Sequence, residues 1–478
     1  MRSGPPPSRA GQGSRAGRAA IVVVTLLAIG IPASGLPVGA AARDQPDVRF
    51  AQYDGYASPG TPDELNKVGT IEIGPKNAKN VLVFVPGTSA SAAYYVPIAR
   101  DLVEENPGWQ VWAVERRENL LEDHSVLDEV KAGKATPEEL FEYYLGFVTD
   151  PSITDHYEFL DDADVAYARD WGMRVAVEDL RRVVTAAKTR SGKVVMGGHS
   201  LGASILTAYA TWDFDGRPGA DDLSGLVFID GGSGPTPISP AEATASLDDL
   251  EAGTPWLTFG GIAAPYAGLF NAVGSTTVHA RPDEPSTLQD WVALPANLKA
   301  PVAATSLASY GFALDVATSP PALAAAHAHL GELDTTTEPA GWDRAGALTP
   351  VPRYANMFSG TGLPGHDGTA WYHPLRLTID SGAVAAGNAN PAQQILDLDA
   401  THGSDLSKKL LVYAFGASLG GQRVLDAAQN LADQSSIPAS RLTLVDRIDT
   451  YAHNDFAGAS PENDFVATLT PFLRAITK

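Results

Sequence analysis

The sequence predicts an α/β fold, a mostly parallel central sheet flanked by helices and broken by one large inserted cap. Three observations predict it. Apolar runs without alternation, such as "KVVMGG" (193–198), suit central parallel strands covered on both faces. Strand-like and helix-like stretches follow one another repeatedly, and such units close into a parallel sheet with helices on both sides. Residues 235–405 then lack any regular alternation and separate two of the strands.

The chain has 478 residues, 44% hydrophobic and 19% charged, the profile of a globular protein with a large core. Arg2, Arg9, Arg15 and Arg18 precede the apolar run "AAIVVVTLLAIGI" and the small-residue exit "VGAAA". That is the three-part pattern of a secretory signal peptide, with cleavage expected near Ala42. An uncleaved anchor is the alternative, but the run is shorter than the ~20 residues a bilayer span needs. Cysteine is absent, so the stability of an exported chain rests on packing without disulfides. Residues 1–42 carry four arginines and no acid, so their removal takes the formal charge from −22 to −26. This charge disfavours nucleic acid and anionic membrane as partners, and no stable membrane anchor is expected after cleavage.

Residues 43–66 read as a Pro-, Gly- and acid-rich lead-in, followed by the strands "VGTIEIG" and "NVLVFVPG". "QVWAVE" is the next strand. In "WGMRVAVEDLRRVVTAAKTR", Met173, Val177, Leu180, Val184 and Ala187 recur at four- and three-residue spacing, the stripe of an amphipathic helix. After it come "KVVMGG", a helix, "LSGLVFID", the insertion, "KKLLVYAF", the helix "QRVLDAAQNLA", "RLTLVD" and a closing helix near "ENDFVATLTPFLRAI". The expected organisation is a signal peptide (1–42), a core in two parts (43–234 and 406–478) and an inserted cap (235–405).

The insertion carries Trp256, Phe259, Tyr266, Phe270, Trp291, Tyr310, Phe312, Trp342, Trp371 and Tyr372, too many aromatics for a disordered linker. An ordered cap there lies over the carboxyl edge of the sheet, where open α/β sheets bind ligands. Its Trp and Phe side chains are then expected to wall an apolar pocket. A separate domain packed elsewhere is the alternative.

"KVVMGGHSLGASI" (193–205) and "LLVYAFGASLGGQ" (410–422) both run a strand through Gly-x-Ser-Leu-Gly into a helix, so Ser200 and Ser418 compete as nucleophile. Each satisfies the local rule for a nucleophile elbow, glycines two residues either side of a serine in a strained turn. Through "GGHSLG", "VFVPGTS" and "YAHNDF" the sequence resembles the serine esterase and lipase branch of the α/β-hydrolase superfamily, over residues 68–234 and 406–478 and not over the cap.

The resemblance implies an elbow behind a central strand, followed by further strands and then acid and base in the order Ser, Asp or Glu, His. Three strands and a histidine loop follow Ser200, whereas one strand follows Ser418. Ser200 is therefore the expected nucleophile, and Ser418 reads as a chance turn. His453, the one histidine after the last strand, stands where the base is implied. His199 is read as structural. The acid's commoner place, after the penultimate strand, holds no carboxylate; a minority of the superfamily, pancreatic-type lipases among them, carries it one strand earlier, and there the resemblance implies Asp230 at the end of "LVFID", with Asp446 and Asp449 as rivals. Backbone donors to a developing oxyanion are carried over to Leu201 and Thr88, with Ser89 as the fallback.

A serine rather than an aspartate at the elbow argues against epoxide hydrolase and dehalogenase chemistry. Asp213, Asp215, Asp221 and Asp222, and the "DLDATHGSD" stretch, miss EF-hand spacing and read as surface loops rather than calcium sites. Arg116 and Arg117, in "VERRENLLEDHS" behind a strand edge near the expected site, read as a solvated ion-pair network, with contact to substrate by one of them as the alternative. No cofactor and no metal are expected. The implied activity is ester hydrolysis on a small-molecule or lipid-like substrate by a secreted enzyme. An amidase or peptidase on the same triad, and a non-catalytic surface-binding protein, are the alternatives.

Overall fold

The apolar runs pair into one eight-stranded sheet. The computed structural model describes residues 47–190, 192–258, 262–360 and 362–478; the expected signal peptide and Phe259 lie outside the described residues. The strands are β1 (Val48–Asp54), β2 (Lys67–Ile73), β3 (Asn80–Val85), β4 (Trp109–Glu115), β5 (Lys193–His199), β6 (Gly225–Ile229), β7 (Glu332–Asp334), β8 (Gly341–Asp343), β9 (Leu411–Gly416) and β10 (Leu442–Asp446). β7 and β8 form a separate antiparallel hairpin, and the rest run in the order β1-β2-β4-β3-β5-β6-β9-β10. β2 is antiparallel to β1 and β4, and every other pair is parallel.

Alternate residues of the inner strands enter different cores. Leu82 and Phe84 of β3 join Ile229 of β6 and Phe415 of β9 on one face, while Val81, Val83 and Val85 join Met196, Phe228 and Val412 on the other. The unalternated apolar pattern follows, because both faces are buried. The predicted stripe is the inner face of the helix Met173–Arg190, with Met173, Val177, Leu180, Val184 and Ala187 all in the second core.

β1 corrects the reading of residues 43–66 as a lead-in. It is an edge strand whose residues alternate between partly buried and exposed, so it shows no apolar run. The insertion runs between Ile229 and Leu411, slightly beyond the expected 235–405, and packs into the same compact unit as the sheet. It is not the whole roof. The helices Ser125–Lys131 and Pro137–Tyr144, from the connection after β4, pack against the insert's helix Tyr266–Ala280.

Arg116 and Arg117 are buried, not solvated, at 7% and 2% exposure. Arg117 donates to both carboxylate oxygens of buried Asp179 at 2.7 and 3.0 Å or less, and to Tyr56 O at 2.9 Å. The acid clusters pair at the surface instead: Asp215 with Arg181, Asp397 and Asp399 with Arg174, and Asp405 with His402.

Candidate active site

The end of β5 turns into the helix Leu201–Thr211 at Ser200, whose φ of 57° and ψ of −125° are costly for a residue with a side chain. The flanking glycines make the turn possible. A Cβ on Gly198 would stand 2.1 Å from Gly202 O, and one on Gly202 would stand 2.2 Å from Val85 O. The Ser200 amide donates to Ile229 O at 3.0 Å, fastening the elbow to the end of β6.

One residue beyond β6 is Asp230, fully enclosed, and the loop after β10 brings His453 to it. His453 Nδ1 and Asp230 Oδ2 are 2.6 Å apart, with the histidine 1% and the aspartate 2% exposed. Ser200 and His453 line one cavity, together with Gly87 and Thr88. The structure thus brings the expected nucleophile, base, acid and loop donors to one place. The rivals Asp446 and Asp449 are exposed, and Asp446 caps its own turn by accepting from Ile448 N at 3.0 Å.

The second Gly-x-Ser-Leu-Gly motif has a different place in this site. Ser418 is exposed and is not among the described residues with a positive φ, so its turn is not an elbow. Its neighbours hold the acid. Asp230 Oδ1 accepts from the amides of Ala417 at 2.8 Å and Gly420 at 3.0 Å, and Oδ2 accepts from Leu419 N at 3.3 Å. The reading of this turn as chance is corrected accordingly: its backbone donors cradle a carboxylate.

The loop after β3 reaches the other side of Ser200, and a Cβ on Gly87 would meet Ser200 Cβ at 2.8 Å. In this loop the amide of Ser89 donates to His373 Nδ1 (3.4 Å), Ala90 to Gly87 O (3.4 Å), Ser91 to Gly368 O (3.1 Å) and Ala92 to Glu115 Oε2 (2.9 Å). Among the described residues no acceptor meets the amides of Gly87, Thr88 or, at the helix start, Leu201. The fallback donor Ser89 is therefore committed elsewhere, and Thr88 is free.

His199 lies under the base. Its Nε2 is 3.1 Å from His453 O, and the two rings are 4.2 Å apart. Burial holds its pKa well below the usual histidine range, and His453 adds to the effect, so the imidazole is neutral. The cap grips the same loop. Asn454 donates to Ala325 O at 2.9 Å and accepts from Tyr94 OH at 2.7 Å. Buried Asp455 accepts from His329 Nδ1 (2.6 Å), His329 N (3.0 Å), Thr349 Oγ1 (2.7 Å) and Ala452 N (2.8 Å).

The hydrogen bond to Asp455 raises the His329 pKa above 6.5, against the effect of burial. A raised folded value means that this latch contributes fully below pH ~6.5 and fades as pH rises through the raised value. The difference in melting temperature between wild type and His329→Gln is therefore expected to be largest near pH ~5.5 and to shrink toward pH ~8.5. A gap that stays constant over that range would show that the latch does not titrate.

Over the site, the cavity walls are Phe270, Leu298, Leu314, Leu323 and Phe358, with Asn271 and Thr369 as polar exceptions. No tryptophan of the cap lines it, which corrects the expectation that Trp side chains wall the pocket. Two of them pack the cap against the connection after β4: Trp371 stands edge-on to Tyr144 and Tyr157, each at 5.6 Å, and Trp256 to Trp171 at 6.3 Å.

One cluster escaped the sequence reading. Glu122, His124 and Asp367 present atoms close enough together for a cation. They are already satisfied by protein donors. Asp367 accepts from His124 Nε2 (3.1 Å), Trp371 Nε1 (2.9 Å) and Thr369 N (2.6 Å), and Glu122 from Trp371 N (2.8 Å). The cluster staples the connection after β4 to the cap. Glu122 and His124 are 245 and 243 positions or so from Asp367, and no local spacing announces such a contact.

The strand order with its antiparallel second strand, the elbow behind the fifth strand and the histidine behind the last define an α/β-hydrolase fold with a Ser, Asp, His constellation. No family model matches the chain, and no curated protein does. Among solved structures it is similar to an assigned lipase from Sulfolobus solfataricus, at 14% identity and a TM-score of 0.45 over 91% of this chain and 94% of that one. It is also similar to a thermostable carboxyl esterase from Bacillus coagulans, at 12% identity and a TM-score of 0.39 over 90% and 99%. A monoglyceride lipase from Saccharomyces cerevisiae shows 10% identity and a TM-score of 0.37 over 92% and 98%. Likeness at this level carries no argument about the reaction, which rests on the residues themselves.

Proposed function

We propose that the protein is a secreted, cofactor-independent serine hydrolase that cleaves carboxylic esters through an acyl-enzyme on Ser200. The observation that carries this is the Asp230–His453 pair, 2.6 Å apart, whose histidine lines the cavity that Ser200 also lines from a strained elbow. Ser200 Oγ attacks the ester carbonyl carbon as its proton passes to His453 Nε2. The carbonyl π pair moves onto oxygen, where the amides of Thr88 and Leu201 are free to receive it. Collapse expels the alkoxide, which takes the proton from His453, and water repeats the sequence on the acyl-enzyme. Asp230 fixes the imidazole tautomer and stabilises the imidazolium.

Secretion is supported by the N-terminal pattern alone, and N-terminal sequencing of protein from culture medium tests it, with a start near residue 43 expected. Among the described residues no helix is long and apolar enough to cross a membrane. The apolar cavity walls favour an acyl chain, each buried methylene contributing at most about 0.8 kcal/mol. For p-nitrophenyl esters, kcat/KM is expected to rise severalfold from acetate to a medium-chain optimum and then fall as the enclosed space is exceeded. Matched anilides should react far more slowly. A flat chain-length profile would remove the cap from substrate recognition, and faster anilide than ester cleavage would replace the esterase with an amidase.

A further inference from the structure

We propose that Arg116 is a positioning residue for catalysis, which sets the oxyanion-binding loop by gripping its carbonyl oxygens from behind. The inference rests on the serine-hydrolase reading and adds to it a residue outside the triad and the two amides.

Arg116 follows the last residue of β4, and the loop in question follows β3, its parallel neighbour, so both lie at the carboxyl edge of the sheet. The guanidinium donates from Nη1 to Pro86 O at 2.8 Å and from Nη2 to Gly87 O and Ala90 O, each at 3.2 Å. Three carbonyls within five residues thus converge on one cation. Its Nε pairs with Glu118 at 2.5 Å, and both side chains are buried. The charge therefore needs no solvent.

Peptide geometry turns this grip into a statement about the other side of the loop. None of the cis bonds falls here, and in a trans peptide the C=O and N–H point in opposite directions. Pulling Pro86 O and Gly87 O toward Arg116 aims the N–H of Gly87 and of Thr88 away from it. Those two amides are the ones in the loop with no acceptor among the described residues, and Gly87 packs directly against Ser200. His373 closes the clamp from the cap by accepting from Ser89 N. Burial, and then the charge of Arg116, hold the His373 pKa well below its usual range, which keeps that ring a neutral acceptor.

An oxyanion donor stabilises charge that exists only in the transition state, so its misalignment lowers kcat and leaves substrate binding largely unchanged. The test compares Arg116→Met/Glu118→Gln, which leaves no unpaired charge, with Arg116→Lys, which keeps the charge but cannot fork across three carbonyls. The double variant is expected to lose about 10²- to 10³-fold in kcat with KM within about threefold, and Arg116→Lys to fall between it and wild type. The pH midpoint of kcat/KM should not move, because Asp230 and His453 are untouched. A folded double variant with kcat within about threefold of wild type overturns the proposal, as does a loss expressed in KM alone. If the double variant does not fold, wild-type kcat in Arg116→Lys overturns it equally. Ser200→Ala, assayed alongside, separates the two levels: turnover surviving that change refutes the triad, whereas its loss beside normal Arg116 variants refutes only the role of Arg116.

Discussion

Ser200→Ala is expected to lower kcat for ester substrates by about 10⁴- to 10⁶-fold and to abolish covalent labelling by a fluorophosphonate, while Ser418→Ala leaves both within about threefold. The two serines sit in the same pentapeptide pattern, so the contrast isolates what tertiary structure adds to a motif. Ser200 carries φ of 57° at the mouth of a cavity shared with His453. Ser418 is exposed; its amide donates to Tyr451 O at 2.9 Å, and among the described residues its hydroxyl has no hydrogen-bond partner. Removing its hydroxyl leaves the donors of Ala417, Leu419 and Gly420 in position. Equal loss from both changes would show that the turn at 417–420 takes part through its side chain, and the assignment of Ser200 would have to be reopened.

Legibility in the sequence followed how locally each feature is encoded. The elbow is set by Gly198 and Gly202 within four residues of each other, and the inner strands by short apolar runs, so both could be read directly. β1 could not, because an edge strand with a wet face leaves no such run. The cradle under Asp230 could not, because its donors are backbone amides, which every sequence possesses. Arg116 and Arg117 looked solvated because charges cluster in "VERRENLLEDHS", and only tertiary contacts to Pro86, Gly87 and Asp179 reveal that they are enclosed. In the cap, residue types predicted an apolar roof but not which side chains face the cavity. Phe270 and Phe358 do, while Trp256, Trp291 and Trp371 are buried away from it.

Asp230→Asn is expected to keep the fold and lower kcat by up to about 10⁴-fold. The hydrogen bonds at the carboxylate show why an isosteric change is so costly. All four partners of Asp230 are N–H donors: Ala417 and Gly420 on Oδ1, and Leu419 and His453 on Oδ2. An asparagine must present its NH2 to one of these pairs. The two short amide contacts, at 2.8 and 3.0 Å, belong to a fixed turn and hold the carbonyl end, so the NH2 faces His453. There it can only donate, which forces His453 Nδ1 to accept and places the ring proton on Nε2. An Nε2–H imidazole cannot take the proton of Ser200, and the carboxylate that would have stabilised the imidazolium is gone. Fluorophosphonate labelling of Ser200 should slow in parallel with kcat, since acylation of the serine needs the same base. Near wild-type rates in Asp230→Asn, with loss instead in Asp446→Asn or Asp449→Asn, would move the acid to the loop ahead of His453. That loop would then have to refold around the histidine, because both rivals face solvent as the chain now stands.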